Sequence, residues 1–308
     1  MAAKPITPLQ KLGYFTKNLL IRGLLGAAML LPYRWRVPFV GALVSRALAP
    51  LVGWRGRIRE NLSHVLPELP DTEVKRLSRA VPDNAGRTLI EIYSGEAFKA
   101  RAARAPISGP GLAALEAARD AGRPVILVTG HMGNYDVVRA ALIARGHNMG
   151  ALYRRMRNPY FNAHYAANMH ALSVPVFEQG RRGTMGLLKH IKAGGMGVLL
   201  FDVYDSAGVT IDFLGRPAPT LTSAAEIALR TGALLVPFFG IRNADGVTFQ
   251  AVFEAPIPHG PPEVMMRAVT DRLEARIRQD PGQWFWIHRR WKPKRQGKRQ
   301  RKRAAASM

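Results

Sequence analysis

Val125-Ile126-Leu127-Val128-Thr129-Gly130-His131-Met132-Gly133-Asn134-Tyr135-Asp136 is the stretch whose reading decides the fold. Four consecutive apolar residues, Val125 to Val128, read as a short strand. A turn of small residues follows, and Asn134 is placed to cap a helix that runs to Arg145, where Gly146 stops it. Outward from this β–α unit the same alternation repeats. Strands are expected at Met149 to Tyr153, Val174 to Phe177 and Val198 to Phe201. A last pair, Leu234 to Ile241 and Thr248 to Phe253, turns at Asn243-Ala244-Asp245-Gly246. Helices are expected from Thr184 to Lys192, from Ser223 (with a Ser223-x-x-Glu226 capping box) to Gly232, and from Glu263 to Arg278. Such alternation means an α/β fold, a mixed sheet flanked by helices.

His131 and Asp136 carry the chemistry of the opening stretch. Histidine titrates near neutrality and can take and return a proton. A carboxylate on its far nitrogen fixes the tautomer and stabilises the imidazolium. Within one regular helix, residues five apart point roughly 140° from each other and do not meet. They meet if His131 lies in the turn and Asp136 in the first turns of the helix, with Gly130 and Gly133 permitting the tight backbone. The plainer reading is a surface histidine beside a helix cap.

His131, Arg154, Glu178 and Asp202 each follow a short apolar run directly or within a residue or two. In an open α/β sheet the carboxyl ends of the strands line the ligand crevice, so four chain-distant segments deliver a base, a cation and two carboxylates to one edge. No G-x-S-x-G elbow, dinucleotide fingerprint or Walker A sequence occurs. His164 and His170 lack an acidic helper at ligand spacing, so no metal is expected. Trp284, Trp286 and Trp291 read either as interfacial aromatics or as core.

The 308-residue chain is 47% hydrophobic, enough for a substantial core, and has no cysteine, which excludes disulfides and thiolate chemistry. Its formal net charge of +24 calls for an anionic partner. Near the N-terminus, Leu19 to Leu31 is too short to cross a bilayer and no cleavage site follows. Leu19, Leu20, Gly23, Leu24, Ala27 and Leu31 recur at helical spacing, as in an amphipathic membrane anchor or a packing helix. Arg34, Arg36, Arg46, Arg55, Arg57 and Arg59 follow, suited to anionic headgroups. The basic stretch from Lys292 lacks interleaved aromatics, so nucleic acid is not the expected partner; it reads as a disordered electrostatic tether or a solvated tail.

Gly130-His131-Met132-Gly133-Asn134-Tyr135-Asp136 resembles the G-H-x-G-N-[aromatic]-[acid] block of the bacterial lipid A biosynthesis acyltransferases, the late lauroyl and myristoyl transferases. Other blocks follow in the same order: Arg59-Glu60-Asn61-Leu62 with Pro67-Glu68-Leu69, Tyr153-Arg154 with Asn158-Pro159, Phe213-Leu214-Gly215-Arg216-Pro217-Ala218 with Thr220, and Gln283-Trp284-Phe285-Trp286-Ile287-His288-Arg289-Arg290-Trp291-Lys292. Two positions depart from the pattern: Asp136 stands for the usual glutamate and Arg155 for a proline. The resemblance implies a glycerolipid-acyltransferase-like fold with a helical, membrane-associating region at residues 1–105, an α/β acyltransferase core at 106–292 and a basic disordered tail at 293–308. It implies acyl transfer from acyl carrier protein to a hydroxyl on the 3-hydroxyacyl chain of a phosphorylated lipid A precursor. The expected place is the cytoplasmic face of the inner membrane, and no cofactor is needed. Acyl transfer to another glycolipid or a glycerophosphate is the neighbouring reading, and a non-catalytic basic membrane binder the distant one. In the enzyme, His131 is the general base and Asp136 orients it. Gly133 and Asn134 shape an oxyanion site at a helix N-terminus. Arg154 binds acceptor phosphate, steadies the thioester oxygen, or makes a strand-end salt bridge. Asp202 pairs with Arg154 or positions the acceptor, and Arg216 contacts phosphate or is a surface arginine.

Overall fold

All five residues of β2 (Val125–Thr129) are buried. Side chains alternate along a strand, so Ile126 and Val128 enter one core while Val125 and Leu127 enter another. A strand buried on both faces needs strand neighbours at both edges and helices above and below. The computed structural model, which describes residues 6–292, supplies both.

The main sheet also contains β1 (Ile107–Ser108), β3 (Met149–Tyr153), β4 (Val176–Glu178), β5 (Met196–Leu200), β8 (Leu234–Arg242) and β9 (Phe249–Phe253), in the order β1-β9-β8-β2-β5-β3-β4. β8, β2, β5, β3 and β4 run parallel and β9 returns antiparallel to β8, so the sheet is mixed, as expected. Between β5 and β8 the chain forms a two-stranded hairpin that the alternation pattern did not signal, β6 (Val209–Phe213) with β7 (Arg216–Thr220). α7 (Leu112–Asp120) and α8 (Tyr135–Ala144) cover one face of the sheet. α10 (Arg181–Lys192), α11 (Ser223–Thr231) and α12 (Pro262–Gln279) cover the other, while α9 (Pro159–Leu172) joins β3 to β4. The expected Ser223–Glu226 capping box does not form. Thr222 is the cap, and its hydroxyl donates to Glu226 Oε1 at 2.6 Å.

Before the sheet come α1 (Pro8–Met29), α2 (Tyr33–Leu43), a π-helical turn (Val44–Leu48) leading into α3 (Ala49–Leu51), α4 (Trp54–Val65), α5 (Asp71–Tyr93) and α6 (Glu96–Ala103). Thr7 and Gln10 close a capping box on α1. Asn18, Leu25 and Ala28 of α1 are buried, whereas Leu19, Leu20, Gly23, Leu24 and Ala27 face outward. Trp35, Phe39, Leu48 and Leu51 extend the outward apolar surface. Among the described residues no single helix is long and apolar enough to cross a membrane. The tail expected at 293–308 lies outside the described residues.

Candidate active site

The pairing of β2 with β5 positions the centre of the site. The two strands are parallel and end in register at Thr129 opposite Leu200. Two residues further along each chain stand His131 and Asp202. Neighbouring strands lie about 4.8 Å apart, so side chains at matched positions reach each other. His131 Nδ1 lies 2.7 Å from Asp202 Oδ1, and the His131 backbone N–H donates to Asp202 Oδ2 at 2.8 Å. The Trp284 indole N–H donates to the same Oδ2 at 2.9 Å. Asp202 is fully buried. Burial alone pushes its carboxyl up, but the charge and hydrogen bonds of His131, with His288 adding, hold it well below the usual carboxylate range. An ionised carboxylate only accepts, so Nδ1 carries a proton, and Nε2 is the ring nitrogen left to offer a lone pair. Among the described residues Nε2 has no hydrogen-bond partner, and the His131 side chain is 25% exposed.

Asp136 does not hold the histidine. It sits in the first turn of α8, buried with Arg139 three residues on, and the two pair at 2.9 Å. Adjacent turns of a helix bring i and i+3 together, which takes Asp136 away from Nδ1 and gives it to Arg139. Burial raises the Asp136 carboxyl, opposed by Arg139 and then His131. The expected Asp202–Arg154 pair is replaced as well, since both Asp202 oxygens are taken up by His131 and Trp284.

The turn carrying His131 is fixed by backbone geometry and buried hydrogen bonds. A Cβ at Gly130 would meet Asp202 Oδ2 at 2.9 Å and Leu273 at 2.6 Å. Gly133 has φ +57°, and a Cβ there would meet Gly240 O at 2.0 Å. The Gly133 N–H donates to Gln283 O and the Asn134 N–H to Gly240 O. The fully buried Asn134 side chain caps α8 by accepting from the Asp136 N–H at 3.1 Å, and its amide donates to Glu91 Oε2 at 2.8 Å. These donors are spent on the scaffold, so Gly133 and Asn134 do not form the expected oxyanion site. Behind them Glu91, 0% exposed, is gripped by Arg242 through both Nη atoms. Arg242 also binds Asn84, whose amide donates to Gly133 O. Glu91, Asn84 and Arg242 are site-supporting residues that lie outside the recognised blocks, and no local pattern marks them.

Three of the blocks meet around His131. Phe285 N–H donates to His131 O at 3.0 Å, and the His288 ring lies edge-on to His131 with centroids 4.6 Å apart. Asn61, from the Arg59–Leu62 block, donates to the carbonyls of Trp286 and His288 at 2.6 and 2.8 Å. Burial, then the charge of His131, holds the His288 ring down to about 4, which makes it neutral at physiological pH. Trp284, Trp286 and Trp291 are all buried, and core is the correct reading for each.

The outer part of the edge is open. Tyr153 pairs with Glu178 in the register and donates to its Oε2 at 3.2 Å. Met149 and Ala151 pair with Met196 and Val198, the same two residues that pair with Val125 and Leu127. Arg154 therefore stands level with Gly130, two strands away, or roughly 10 Å. Arg154 is exposed, while Arg155 approaches Glu178 at 3.8 Å. Arg216 lies on the hairpin instead, exposed, with Nε donating to the carbonyl of His64 at 2.8 Å.

Residues 4–293 match the family model of the bacterial lipid A biosynthesis acyltransferases, and the chain belongs to that family. It is 27% identical over 187 residues to a lipid A biosynthesis acyltransferase of Haemophilus influenzae, covering 58% of this chain and 56% of that one. It is 24% identical over 241 residues to a phosphatidylinositol mannoside acyltransferase of Mycobacterium tuberculosis, covering 76% of each. The crystal structure of a 1-acyl-sn-glycerophosphate acyltransferase from Thermotoga maritima aligns over 88% of this chain and 99% of that one, at 12% identity and a TM-score of 0.36.

Proposed function

We propose that the protein transfers a fatty acyl chain from acyl carrier protein to a hydroxyl on the 3-hydroxyacyl chain of a phosphorylated lipid A precursor, at the cytoplasmic face of the inner membrane. One observation carries the reaction: His131 Nδ1 is held at 2.7 Å by the buried Asp202, while Nε2 is left open. Nε2 takes the proton of the acceptor hydroxyl as its oxygen attacks the thioester carbonyl carbon. The tetrahedral intermediate collapses, its carbon–sulfur bond breaks, and the departing thiolate takes the proton back from Nε2. Asp202 stabilises the imidazolium between those two transfers. Arg154, with Arg155 and Arg157 beside it, suits a phosphate of the acceptor.

The excess of 45 basic over 21 acidic residues favours an acidic protein donor and an anionic bilayer. Apolar side chains turned outward on α1 and α2, among them Leu24, Trp35 and Phe39, suit interfacial seating beside Arg34. A second acceptor, a mannosylated phosphatidylinositol, is favoured by the longer alignment to the mycobacterial relative. The test is purified protein with acyl carrier protein bearing different chains, offered each glycolipid and read by mass spectrometry. Mass gain of one acyl group on the lipid A precursor is the expected result. Gain only on the mannoside selects the second acceptor, and gain on neither overturns both. Acyl-CoA in place of the carrier tests the donor in the same assay.

A further inference from the structure

A second concave site, not lined by His131 or Asp202, opens where α2, its π-helical turn and α5 meet Gln283. Its cavity is about 630 Å³. Six arginines line it, Arg46, Arg55, Arg76, Arg79, Arg87 and Arg242, against the carboxylates of Asp83 and Asp280. Half of these cations are already paired: Arg76 with Glu73, Arg87 with Asp83, and Arg242 with Glu91. Among the described residues Arg46, Arg55 and Arg79 have no carboxylate partner. All three line the same pocket as Ser45. Ser45 neighbours Arg46, its hydroxyl donates to Arg79 O at 2.7 Å, and its carbonyl accepts from Arg55 Nη2 at 2.9 Å. The Nε of Arg55 is buried with no hydrogen-bond partner.

Three unpaired guanidiniums around a cavity repel one another, and a buried N–H without an acceptor is costly. An anion with several acceptor oxygens relieves both. Arginine's planar fork matches phosphate. The volume falls within the roughly 300–1,000 Å³ of small-ligand pockets, which favours a headgroup-sized ligand over the flat face of a protein. Leu43, Leu48, Leu51 and Val52, each at least 41% exposed, belong to the same helical stretch as Arg46. We propose that this pocket binds a phosphate ester at the membrane interface, at a site separate from the reacting groups and independent of which acceptor is acylated. The pocket's lining includes Asn84, Gln283 and Arg242, which support the turn bearing His131.

The experiment compares full-length protein with the triple variant Arg46→Gln/Arg55→Gln/Arg79→Gln, and with the control Arg230→Gln/Arg272→Gln/Arg278→Gln, which removes equal charge elsewhere. One arm measures thermal stabilisation by inorganic phosphate and by glycerol phosphate, with chloride at matched ionic strength. The other measures cosedimentation with vesicles of phosphatidylcholine alone or mixed with phosphatidic acid. The pocket variant is expected to lose affinity for the phosphatidic acid vesicles by roughly fivefold per arginine removed, and the control by far less. A response to soluble phosphates as well shows that a free phosphate ester suffices; a response to vesicles alone assigns the lipid headgroup. If the triple variant does not fold, Arg79→Gln, at an exposed position on α5, carries the same test with a single step. Equal losses in pocket and control variants overturn the proposal. So does the absence of any response of the wild type to soluble phosphates and to phosphatidic acid vesicles.

Discussion

At the carboxyl edge of the sheet, Gly130–Asp136 follows β2 and Arg154–Asn158 follows β3 two strands away. In the first segment nearly every polar group has a fixed partner: Asp202 on the His131 ring, Glu91 on Asn134, Arg139 on Asp136. In the second, Arg154, Arg155 and Arg157 are exposed, and the nearest carboxylate contact is the 3.8 Å approach of Arg155 to Glu178. Fixed dipoles and a locked tautomer cost no reorganisation at the moment of reaction. Exposed arginines keep their freedom and their hydration until a ligand displaces it. In the proposed reaction this contrast would divide the labour between proton transfer at the rigid segment and acceptor recognition at the exposed rim.

The sharpest way to break that division is to replace, one at a time, Asp136 of the rigid segment and Asp202, which holds its histidine. Asp202→Asn is expected to lower kcat by about 10³–10⁴, since an amide cannot stabilise the imidazolium. His131→Ala is expected to lose about 10²–10⁴ with the protein still folded. Asp136→Asn is expected to act on stability, because it strands Arg139 in the interior at a cost of about 3–5 kcal/mol. Turnover per folded molecule should then stay near wild type. Kinetics and melting curves on the three variants decide the matter. If Asp202→Asn keeps kcat near wild type while Asp136→Asn lowers it without lowering Tm, the assignment of Asp202 as the orienting carboxylate is wrong.

The rim is tested by Arg154→Ala and Arg154→Lys. A lost charge-assisted contact to phosphate is worth about 1.5–3 kcal/mol, so kcat/KM should fall roughly 10- to 100-fold, carried by KM. Lysine should restore part of it, since it supplies the charge without the fork. A loss in kcat alone would move Arg154 from acceptor binding to the thioester oxygen.

The parts that were legible in the chain are those specified locally. Val125–Val128 read as a strand because its apolar run is short and bounded. Asn134 read as a cap because Asx residues close helix N-termini. The carboxyl edge follows from alternation, which gathers His131, Arg154, Glu178 and Asp202 there without naming their partners. The partners were not legible. Asp202 meets His131 because β2 and β5 end in register at Thr129 and Leu200, and register between strands some seventy residues apart leaves no mark in either. Asp136 was the nearer carboxylate in sequence, but helical geometry hands it to Arg139. Trp284 carried a usable signal: a buried indole N–H needs an acceptor, and Asp202 is that acceptor.

A pH-dependent effect is expected at His288, which packs against both His131 and Phe285 at centroid distances of 4.6 Å. Its ring is held down to about 4 in the folded protein, against about 6.5 in an unfolded chain. Between those two values the unfolded chain binds a proton that the folded one refuses. Stability therefore rises with pH through this window and is lost as pH falls from about 6.5 towards 4, by roughly 3 kcal/mol in full. Asp202, held below the usual carboxylate range, gives up its own contribution only at lower pH, while burial also lowers His64, His147 and His164, so His288 supplies the largest share of the slope in this window and not all of it. Melting temperature measured from pH 7 to 4.5 should fall by several degrees in the wild type. His288→Gln, which fills similar space and does not titrate, should flatten that slope. An unchanged slope in the variant would mean that the ring accepts a proton in place, and the pocket beside His131 would then be wetter than its packing implies.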